Sequence, residues 1–362
     1  MGAIETTYET VKRSLRQRPR RWLITGAAGF IGSNILEQLL LLNQTVVGID
    51  NFSTGYQRNI DEVLNNVSEK QASRFSFVEG DIRDLAVCQS VCDGVNIVLQ
   101  QAAIGSVSRS ISDPITTNQN NIDGFLNILI AARDAHAQSF VYASSSSVYG
   151  DCPDLPKVEA QLGTPLSPYA ITKYVNELYA GVFSRLYNMR CIGLRYFNVF
   201  GRRQTPNGVY AAVIPKWFSS LLRGEVAYIN GDGKTSRDFC YVDNVVQVNL
   251  LAGCISSQES MSEVYNIACG ERTTLQELFS MIRDLLESSN PARVWGSPQY
   301  RNFLPGEIRH SHAEISKARQ YLGYSPTHFV KDGLAQASDW YQQHAQDYSE
   351  LIDDGGALWA GF

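Results

Sequence analysis

The sequence predicts an α/β fold, in which a doubly wound parallel sheet carries a smaller mixed α+β lobe. Up to about residue 200, short apolar strands alternate with helical segments, and this alternation implies parallel strands joined by right-handed crossovers. After Gly201 the alternation breaks, and glycine, proline and aromatic residues become frequent. We therefore expect four parts, namely an N-terminal arm (1–19), a nucleotide-binding domain (20–200, with a return segment near 238–256), a substrate-binding lobe (201–341) and a C-terminal tail (342–362).

Composition and charge argue against several classes of partner. The chain has 362 residues, 44% of them hydrophobic, and its formal net charge of -5 gives no reason to expect nucleic acid or an anionic membrane. No apolar run reaches a spanning length, and the basic arm lacks the apolar core of a secretory signal, so it is a short amphipathic helix or disordered. Seven cysteines without a C-x-x-C pair argue against disulfides and a metal site. They favour the reducing cytoplasm.

A glycine-rich turn is the first functional signal. A predicted strand at residues 22–25 leads into G-A-A-G-F-I-G, and a helical pattern follows at residues 33–42. Gly26 permits a tight turn, Gly29 lets the backbone approach a pyrophosphate, and Gly32 lets the helix pack closely on the strand. A purely structural turn is the alternative. In this context the pattern predicts a Rossmann-type dinucleotide site that includes Phe30 and Ile31.

The ends of the next strands add further cofactor candidates. The second strand, residues 45–49, ends in Asp50, whose carboxylate can accept hydrogen bonds from ribose hydroxyls and would repel a 2′-phosphate. This predicts NAD and not NADP. The third and fourth strands, residues 75–79 and 96–100, end in small or polar residues that leave room for a ligand. The further predicted cofactor contacts are Asn51, Asp81, Ile82, Gln101, Ala102, Ala103 and Asn121.

The stretch L-S-P-Y-A-I-T-K-Y-V-N-E-L predicts a general base. It places Tyr169 and Lys173 four residues apart at the start of a helix that runs to about residue 187, so the two side chains share one face. An ammonium beside a phenol lowers the phenol's pKa from about 10 and favours the phenolate. A tyrosine that loses its proton near neutral pH can act as a base. The alternative is a helix with a surface lysine.

Four serines follow the fifth predicted strand. That strand spans residues 139–143, a predicted helix at residues 121–132 precedes it, and Ser144 to Ser147 come directly after it. Because ligands bind at the carboxyl ends of parallel strands, these serines are candidates for ligand contact, although they could form a flexible loop. A sixth strand, residues 191–196, ends near Asn198.

With these motifs in this order, the chain resembles the extended short-chain dehydrogenase/reductase superfamily over residues 20–340. Within it, the chain is similar to UDP-sugar 4-epimerases in L-R-Y-F-N-V-F-G, G-D-G-K-T-S-R-D-F-C-Y-V and V-Y-N-I-A. W-L-I-T-G and L-R-Y-F-N-V-F-G-R-R-Q resemble the bacterial UDP-N-acetylhexosamine 4-epimerases of surface-polysaccharide synthesis, such as that of O-antigen.

The resemblance implies roles for individual residues. The catalytic serine falls on Ser145, and the base and its helper fall on Tyr169 and Lys173. Arg237 and Arg309 suit a diphosphate, because a guanidinium can bind phosphate oxygens through two N–H groups. The alternative for these two residues and for Arg272 is a solvated surface charge. The residues implied around the UDP-sugar are Gly105, Ser106, Ser145, Ser146, Asn198, Ala212, Val213, Lys216, Tyr228, Asn230, Arg237, Arg272, Arg309 and Ser311.

The resemblance also bears on the sugar. Ser311 stands where galactose-specific bacterial epimerases carry a bulky tyrosine, and the smaller side chain leaves space for an N-acetyl group. We therefore expect a UDP-GlcNAc/UDP-GalNAc pair, with the 6-carboxylated uronic forms as further candidates. Two positions depart from the family pattern. Residues 304–307 read L-P-G-E where relatives begin R-x-G-D, which removes an expected phosphate arginine, and Gln100 replaces a histidine.

The implied chemistry is 4-epimerisation with tightly bound NAD, by transient oxidation at C4, rotation of the 4-keto sugar and return of the hydride. A homodimer is the family expectation. Alternatives are a UDP-glucose/UDP-galactose 4-epimerase, a nucleotide-sugar 4,6-dehydratase, a uronate decarboxylase and a non-catalytic NAD-binding protein. Dehydratases and decarboxylases carry an acid beside the catalytic serine, where this chain has Ser146 and Ser147.

Overall fold

The computed structural model describes residues 6–206, 211–255, 262–303 and 308–344. The strands are β1 (Arg21–Thr25), β2 (Thr45–Asp50), β3 (Phe75–Glu79), β4 (Ile97–Gln100), β5 (Ser139–Ser145), β6 (Cys191–Tyr196), β7 (Val199–Phe200), β8 (Tyr228–Asn230), β9 (Ser236–Arg237), β10 (Cys240–Tyr241), β11 (Val264–Ile267), β12 (Thr273–Thr274) and β13 (Gln299–Arg301). The α-helices are α1 (Thr7–Gln17), α2 (Phe30–Leu41), α3 (Gln57–Asn65), α4 (Glu69–Ala72), α5 (Leu85–Cys92), α6 (Val107–Ser112), α7 (Pro114–Asn118), α8 (Gly124–Asp134), α9 (Pro168–Tyr187), α10 (Val213–Arg223), α11 (Val242–Cys254), α12 (Leu275–Ser289), α13 (Ser316–Leu322) and α14 (Val330–Gln343).

Seven of the described strands form one parallel sheet, in the order β11-β6-β5-β4-β1-β2-β3. The strand order reverses between β1 and β4, which is where a doubly wound sheet binds its ligand. The doubly wound α/β prediction is therefore confirmed. One strand of this sheet, β11, lies outside the predicted nucleotide-binding domain, in the stretch that we assigned to the lobe. It pairs with β6 and extends the sheet.

Helices cover both faces of the sheet, and strands β1, β4, β5 and β6 are accordingly buried along nearly their whole length. Helices α2 and α11 pack on one face, and α11 accounts for the predicted return segment. Helices α5, α8 and α9 pack on the other face. No helix of the described residues is long and apolar enough to cross a membrane.

The N-terminal arm contains a helix that packs on this domain. Helix α1 packs against α11, its Leu15 is buried, and the Gln44 side-chain amide donates a hydrogen bond to the Leu15 carbonyl. Gly323, with a φ of +67°, ends α13 so close to α1 that a Cβ there would stand 2.7 Å from Thr7. The amphipathic-helix alternative is thus confirmed for residues 7–17.

Several predicted boundaries differ by a few residues. The first helix of the nucleotide-binding domain begins at Phe30, not at residue 33, because Gly29 is its N-cap. Strand β4 begins at Ile97, and β5 runs on to Ser145, so Ser144 and Ser145 belong to the strand and do not form a flexible loop. The predicted helix at residues 121–132 begins as a π-helical turn, Gln119–Asp123, that continues into α8.

The smaller lobe is built from helices α10, α12 and α14 and three short strand pairs. The pairs are β7 with β10, β8 with β13 and β9 with β12. Aromatic and aliphatic side chains of the three helices form a separate core, in which Phe218 stacks on Tyr341 with ring centroids 4.8 Å apart. The predicted mixed lobe is present in these residues. Its short strands position the side chains described next.

Candidate active site

A cavity of about 520 Å³ opens at the carboxyl ends of the central strands. Its walls come from the turns after β1, β2 and β4, from the end of β5, from the start of α9, and from residues 211–212. The position agrees with the expectation for a doubly wound sheet. The predicted site residues that line it are Gly26, Gly29, Phe30, Ile31, Gly32, Asp50, Asn51, Ile82, Gln101, Ala102, Ala103, Gly105, Ser106, Ser145, Tyr169, Lys173, Asn198 and Ala212.

The glycine turn has the shape that a pyrophosphate requires. Gly26 adopts a φ of +69°, which disfavours a side chain, and a Cβ on Gly32 would stand 2.0 Å from the Gly26 carbonyl oxygen. Gly29 has no side chain to cap α2, so the N–H groups of the first turn lack side-chain partners. Such an N-terminus attracts anions. The residues present therefore fit a dinucleotide.

Asp50 ends β2 at the cavity wall and is held in place by the backbone. Its carboxylate accepts hydrogen bonds from the N–H groups of Ala28, at 3.0 Å, and Phe52, at 2.8 Å. Burial raises the pKa of Asp50, and these bonds partly oppose that rise. A fixed acceptor here suits ribose hydroxyls and disfavours a 2′-phosphate, which supports NAD.

Three predicted catalytic side chains meet at one end of this cavity. Ser145 is the last residue of β5, and Tyr169 lies in the first turn of α9, where Ser167 caps the helix and Pro168 starts it. The Ser145 hydroxyl donates to Ser147 Oγ at 3.1 Å and accepts from the Ser147 N–H at 3.1 Å, and it lies near enough to the Tyr169 phenol to lower that phenol's pKa. Lys173 lies one turn further along α9, with Nζ 5.9 Å from the centre of the Tyr169 ring.

The electrostatics of this trio differ from the expectation. Burial raises the pKa of Tyr169, and the hydrogen bond from Ser145 opposes the rise. Burial also lowers the pKa of Lys173 to about 8, and its Nζ donates to the Ala143 carbonyl at 2.8 Å. The expectation that Lys173 lowers the pKa of Tyr169 is therefore not met in this structure, because loss of water around the phenol raises its pKa and the opposing contribution comes from Ser145 and not from Lys173.

A second cavity of about 290 Å³ adjoins the first within the smaller lobe. The two cavities share three lining residues and are therefore adjacent; these residues are Asn198, Val199 and Ala212. Aromatic side chains of Trp217 and Phe239 provide apolar walls suited to a base. The predicted substrate residues that line this cavity are Asn198, Ala212, Val213, Tyr228, Asn230 and Arg237.

Several predicted substrate residues do not line either cavity. Arg309 is exposed and pairs with Asp232 at 3.1 Å, and its carbonyl accepts a hydrogen bond from Arg237. Ser311 is held beside β9 through its N–H, which donates to the Ser236 carbonyl. Arg272 lines a separate surface groove. Two further predicted residues, Ser146 and Lys216, also lie outside the linings of both cavities.

Two predicted cofactor residues also have structural partners instead. The Asp81 carboxylate pairs with Arg83 at 2.7 Å, which lowers its pKa to about 2, and it also accepts a hydrogen bond from the Asn51 side chain. Asn121 is buried, and its side chain accepts a hydrogen bond from the N–H of Ile104. Asp81 and Asn121 therefore do not line the first cavity, but each is hydrogen-bonded to a residue that does, Asn51 and Ile104 respectively. The L-P-G-E segment at residues 304–307 lies outside the described residues.

Other cavity residues were missed by the sequence-based prediction. Tyr196 ends β6, so the strand-end rule that selects Ser145 also applies to it. Gln204 and Thr205 lie in a loop without a recognisable pattern. In the described part of the chain, no group of three or more His, Cys, Asp or Glu could hold a metal ion. The missed lining residues include Ser53, Thr54, Arg109, Asn120, Tyr196, Gln204 and Thr205.

Comparison with known proteins places this geometry among nucleotide-sugar enzymes. A family model described as the NAD-dependent epimerase/dehydratase family matches residues 22–268. The chain is 33% identical to a UDP-glucose 4-epimerase from Mycolicibacterium smegmatis, over 90% of this chain and 100% of that protein.

Solved structures are similar over the same length. A UDP-N-acetylglucosamine 4-epimerase from Methanobrevibacter ruminantium, in complex with UDP-N-acetylmuramic acid, is 34% identical with a TM-score of 0.81, and the match covers 90% of this chain and 99% of that one. A UDP-glucuronic acid 4-epimerase from Bacillus cereus, in complex with UDP-glucuronic acid and NAD, is 31% identical with a TM-score of 0.76, over 89% and 99%.

Proposed function

The chain belongs to the NAD-dependent epimerase/dehydratase family, and we propose that within it the protein is a 4-epimerase of UDP-N-acetylhexosamines. NAD is the cofactor of this family, and the relatives described above are UDP-sugar 4-epimerases. The observation that carries the proposal is the meeting of Ser145, Tyr169 and Lys173 beside a cavity that continues into the second, Arg237-lined one.

The proposed mechanism assigns one task to each side chain. Tyr169, as the phenolate, takes the proton of the sugar 4-hydroxyl, and a hydrogen bond from Ser145 stabilises this phenolate before the transfer. Lys173, whose pKa is about 8, carries a positive charge at neutral pH beside that phenolate. NAD, which the turn from Gly26 to Gly32 and Asp50 would hold, would supply a hydride acceptor for C4 and a positive charge near the phenol.

Epimerisation requires the sugar to turn while the nucleotide stays in place. In the proposal, Arg237 and the apolar walls of the second cavity bind the UDP group, and the hexose projects into the larger cavity. Tyr169 then returns its proton to the 4-oxygen on the opposite face of the sugar. The residues beside Ser145 are Ser146 and Ser147, so the adjacent acid needed for elimination or decarboxylation is missing there.

The preference for an N-acetylated sugar rests on the loop that carries Ser311. The Ser311 N–H donates a hydrogen bond to the carbonyl of Ser236, the neighbour of Arg237, so this loop lies near the second cavity. Ser311 lines neither cavity in this structure, and its place against the 2-substituent is what the resemblance to galactose-specific epimerases, which carry a tyrosine there, implies. A relative named for UDP-N-acetylglucosamine supports this assignment, while relatives named for UDP-glucose and UDP-glucuronic acid keep those sugars as the competing candidates.

A substrate panel tests this preference. We expect kcat/KM for UDP-GlcNAc to exceed that for UDP-Glc by about tenfold or more, because a filled pocket is worth about 1–3 kcal/mol. Ser311→Tyr should reverse the order by filling the space, whereas Ser288→Tyr on the exposed side of α12 should not. Purified protein is incubated with each sugar and its uronic acid, and the epimers are resolved. Equal or higher kcat/KM for the non-acetylated sugars contradicts the assignment.

A homodimer and a cytoplasmic setting complete the proposal. Apolar side chains on one face of α9 are exposed, with Leu178 at 53% and Leu186 at 70%, and Ile115 of the neighbouring α7 is at 71%. Such a face is suited to pairing with a second copy of α9. The cysteines, which include Cys88 and Cys240, are free thiols and fit a reducing compartment, where the product would feed surface-polysaccharide synthesis.

Light scattering measures the oligomeric state directly. We expect the wild type at twice the chain mass and Leu178→Glu with Leu186→Glu at the monomer mass, because charges on both copies would have to be buried. Val294→Glu is the control, because Val294 is 95% exposed outside this face. A wild-type monomer would contradict the proposed dimer.

A further inference from the structure

A buried ion pair lies behind the candidate catalytic residues. Arg195 of β6 donates two hydrogen bonds to the Glu177 carboxylate of α9, at 2.8 Å from Nε and 2.7 Å from Nη2. The two side chains are 2% and 7% exposed, so water does not compete for these bonds. Burial alone would lower the pKa of Arg195, and Glu177 more than offsets that effect. A two-point contact of this kind fixes orientation as well as distance.

Ser144 joins this ion pair to the strand that carries Ser145. The Ser144 hydroxyl donates to Glu177 Oε1 at 2.5 Å, so Glu177 connects β5 and β6 to the helix. One residue earlier on β5, the Ala143 carbonyl accepts the hydrogen bond from Lys173. Ala143 and Ser144 are thus each bonded to a different side chain of α9, and Ser145, the next residue of β5, lies near enough to Tyr169 to lower the pKa of its phenol.

The spacing on the helix makes these contacts act together. Tyr169, Lys173 and Glu177 are four residues apart, so they lie along one face of α9. Ser144 and Ser145 are consecutive residues at the end of β5 and cannot move independently. A shift of the strand end that loosens the Ser144 contact therefore also moves the Ser145 hydroxyl relative to the phenol.

The opposite side of the ion pair is fixed as well. Arg195 Nη1 donates to the Tyr149 hydroxyl at 3.0 Å and to the Glu159 carbonyl at 2.9 Å. The Tyr149 hydroxyl in turn donates to Asn266 Oδ1 of β11 at 2.6 Å. The short 3-10 turn that follows Ser145 is therefore tied to the sheet through the same guanidinium.

From these contacts we infer that Ser144, with the Glu177–Arg195 pair behind it, is a positioning residue that sets the placement of the Ser145 hydroxyl against the Tyr169 phenol. The inference rests on the proposed roles of Ser145 and Tyr169. It adds a group that has no chemical step in the proposed mechanism but determines how well those two residues are aligned.

Ser144→Ala tests the inference without leaving the ion pair unpaired. We expect kcat to fall about tenfold with KM unchanged within about twofold, since a misplacement of about 1 Å can cost about a hundredfold. The acidic limb of the kcat–pH profile should move to higher pH, because the Ser145 hydrogen bond that lowers the pKa of Tyr169 is weakened. Ser144→Thr, which keeps the hydroxyl, should recover most of kcat and the wild-type profile.

Ser139→Ala is the matched control, because Ser139 is buried at the other end of β5 and does not line the cavity. It should leave kcat and the pH profile unchanged. If Ser144→Ala does not fold, Ser144→Cys keeps a weak donor of similar size and should show the same shift in smaller measure. A wild-type kcat in Ser144→Ala, or a lower kcat without a shifted acidic limb, overturns the inference.

A variant of the base separates this inference from the proposed function. If Tyr169→Phe is inactive while Ser144→Ala matches the wild type, only the positioning role fails. If Tyr169→Phe turns over UDP-sugars normally, the proposed chemistry fails and the positioning role fails with it. NAD content measured in all variants shows that each comparison is made on loaded enzyme.

Discussion

Replacing Tyr169 with phenylalanine should lower kcat by about 10²- to 10⁴-fold and leave UDP-sugar affinity nearly unchanged. The phenol is the group placed to take and return the proton of the 4-hydroxyl, and its ring packs at the start of α9 without contributing to the second cavity. The change removes one oxygen atom and keeps the ring. Turnover is measured under saturating substrate, and affinity by calorimetry with UDP.

Tyr179→Phe is the control for this substitution. Tyr179 lies on the same helix, 36% exposed and away from the cavity, so its hydroxyl should be dispensable. We expect wild-type kcat for this variant. Comparable activity of Tyr169→Phe and Tyr179→Phe would show that the phenol of Tyr169 is not the base.

Replacing Gly32 with alanine should abolish NAD binding and with it activity. The added Cβ would stand 2.0 Å from the Gly26 carbonyl oxygen and 2.8 Å from the Gly26 carbonyl carbon. These are backbone atoms of the turn that would contact the pyrophosphate, so either the turn or the start of α2 must move. Cofactor content after purification, measured by absorbance and by release on denaturation, should fall from near full occupancy to a small fraction.

Gly181→Ala provides the matched comparison within another helix. A Cβ at Gly181 in α9 would meet only the end of the Arg185 side chain, at 3.7 Å. Alanine is there expected to be neutral or stabilising by up to about 1 kcal/mol, because glycine is a poor helix former. Full NAD content in Gly32→Ala would contradict the assignment of this turn to the pyrophosphate.

The fold was largely predictable because its signals are local. Apolar strands followed by helical patterns identify the parallel sheet, and the turn from Gly26 to Gly32 identifies its ligand-binding edge. Asp50, Ser145 and Tyr169 were predicted from their places at strand ends or in a helix start, and the structure brings them to one cavity. Their roles stay predictions until the variants above are measured.

Other features depend on partners that are distant in sequence. Arg309 is directed to Asp232, 77 positions away in the sequence, and this choice cannot be read from a local pattern. The pKa of Tyr169 depends on how much water the folded chain removes, which a helical spacing does not report. Ser144 and Glu177 are 33 residues apart, so their hydrogen bond becomes visible only when β5 and α9 are packed together.

The central claim is reversible oxidation at C4 of a UDP-sugar, and the fate of the C4 hydrogen tests it most directly. UDP-GlcNAc labelled with deuterium at C4 is incubated with the NAD-loaded protein, and the products are resolved and examined by NMR. The account predicts the C4 epimer with deuterium retained at C4 and without loss of water or carbon dioxide. Deuterium at C6 with loss of water, or no turnover of any UDP-sugar by the loaded protein, would contradict it.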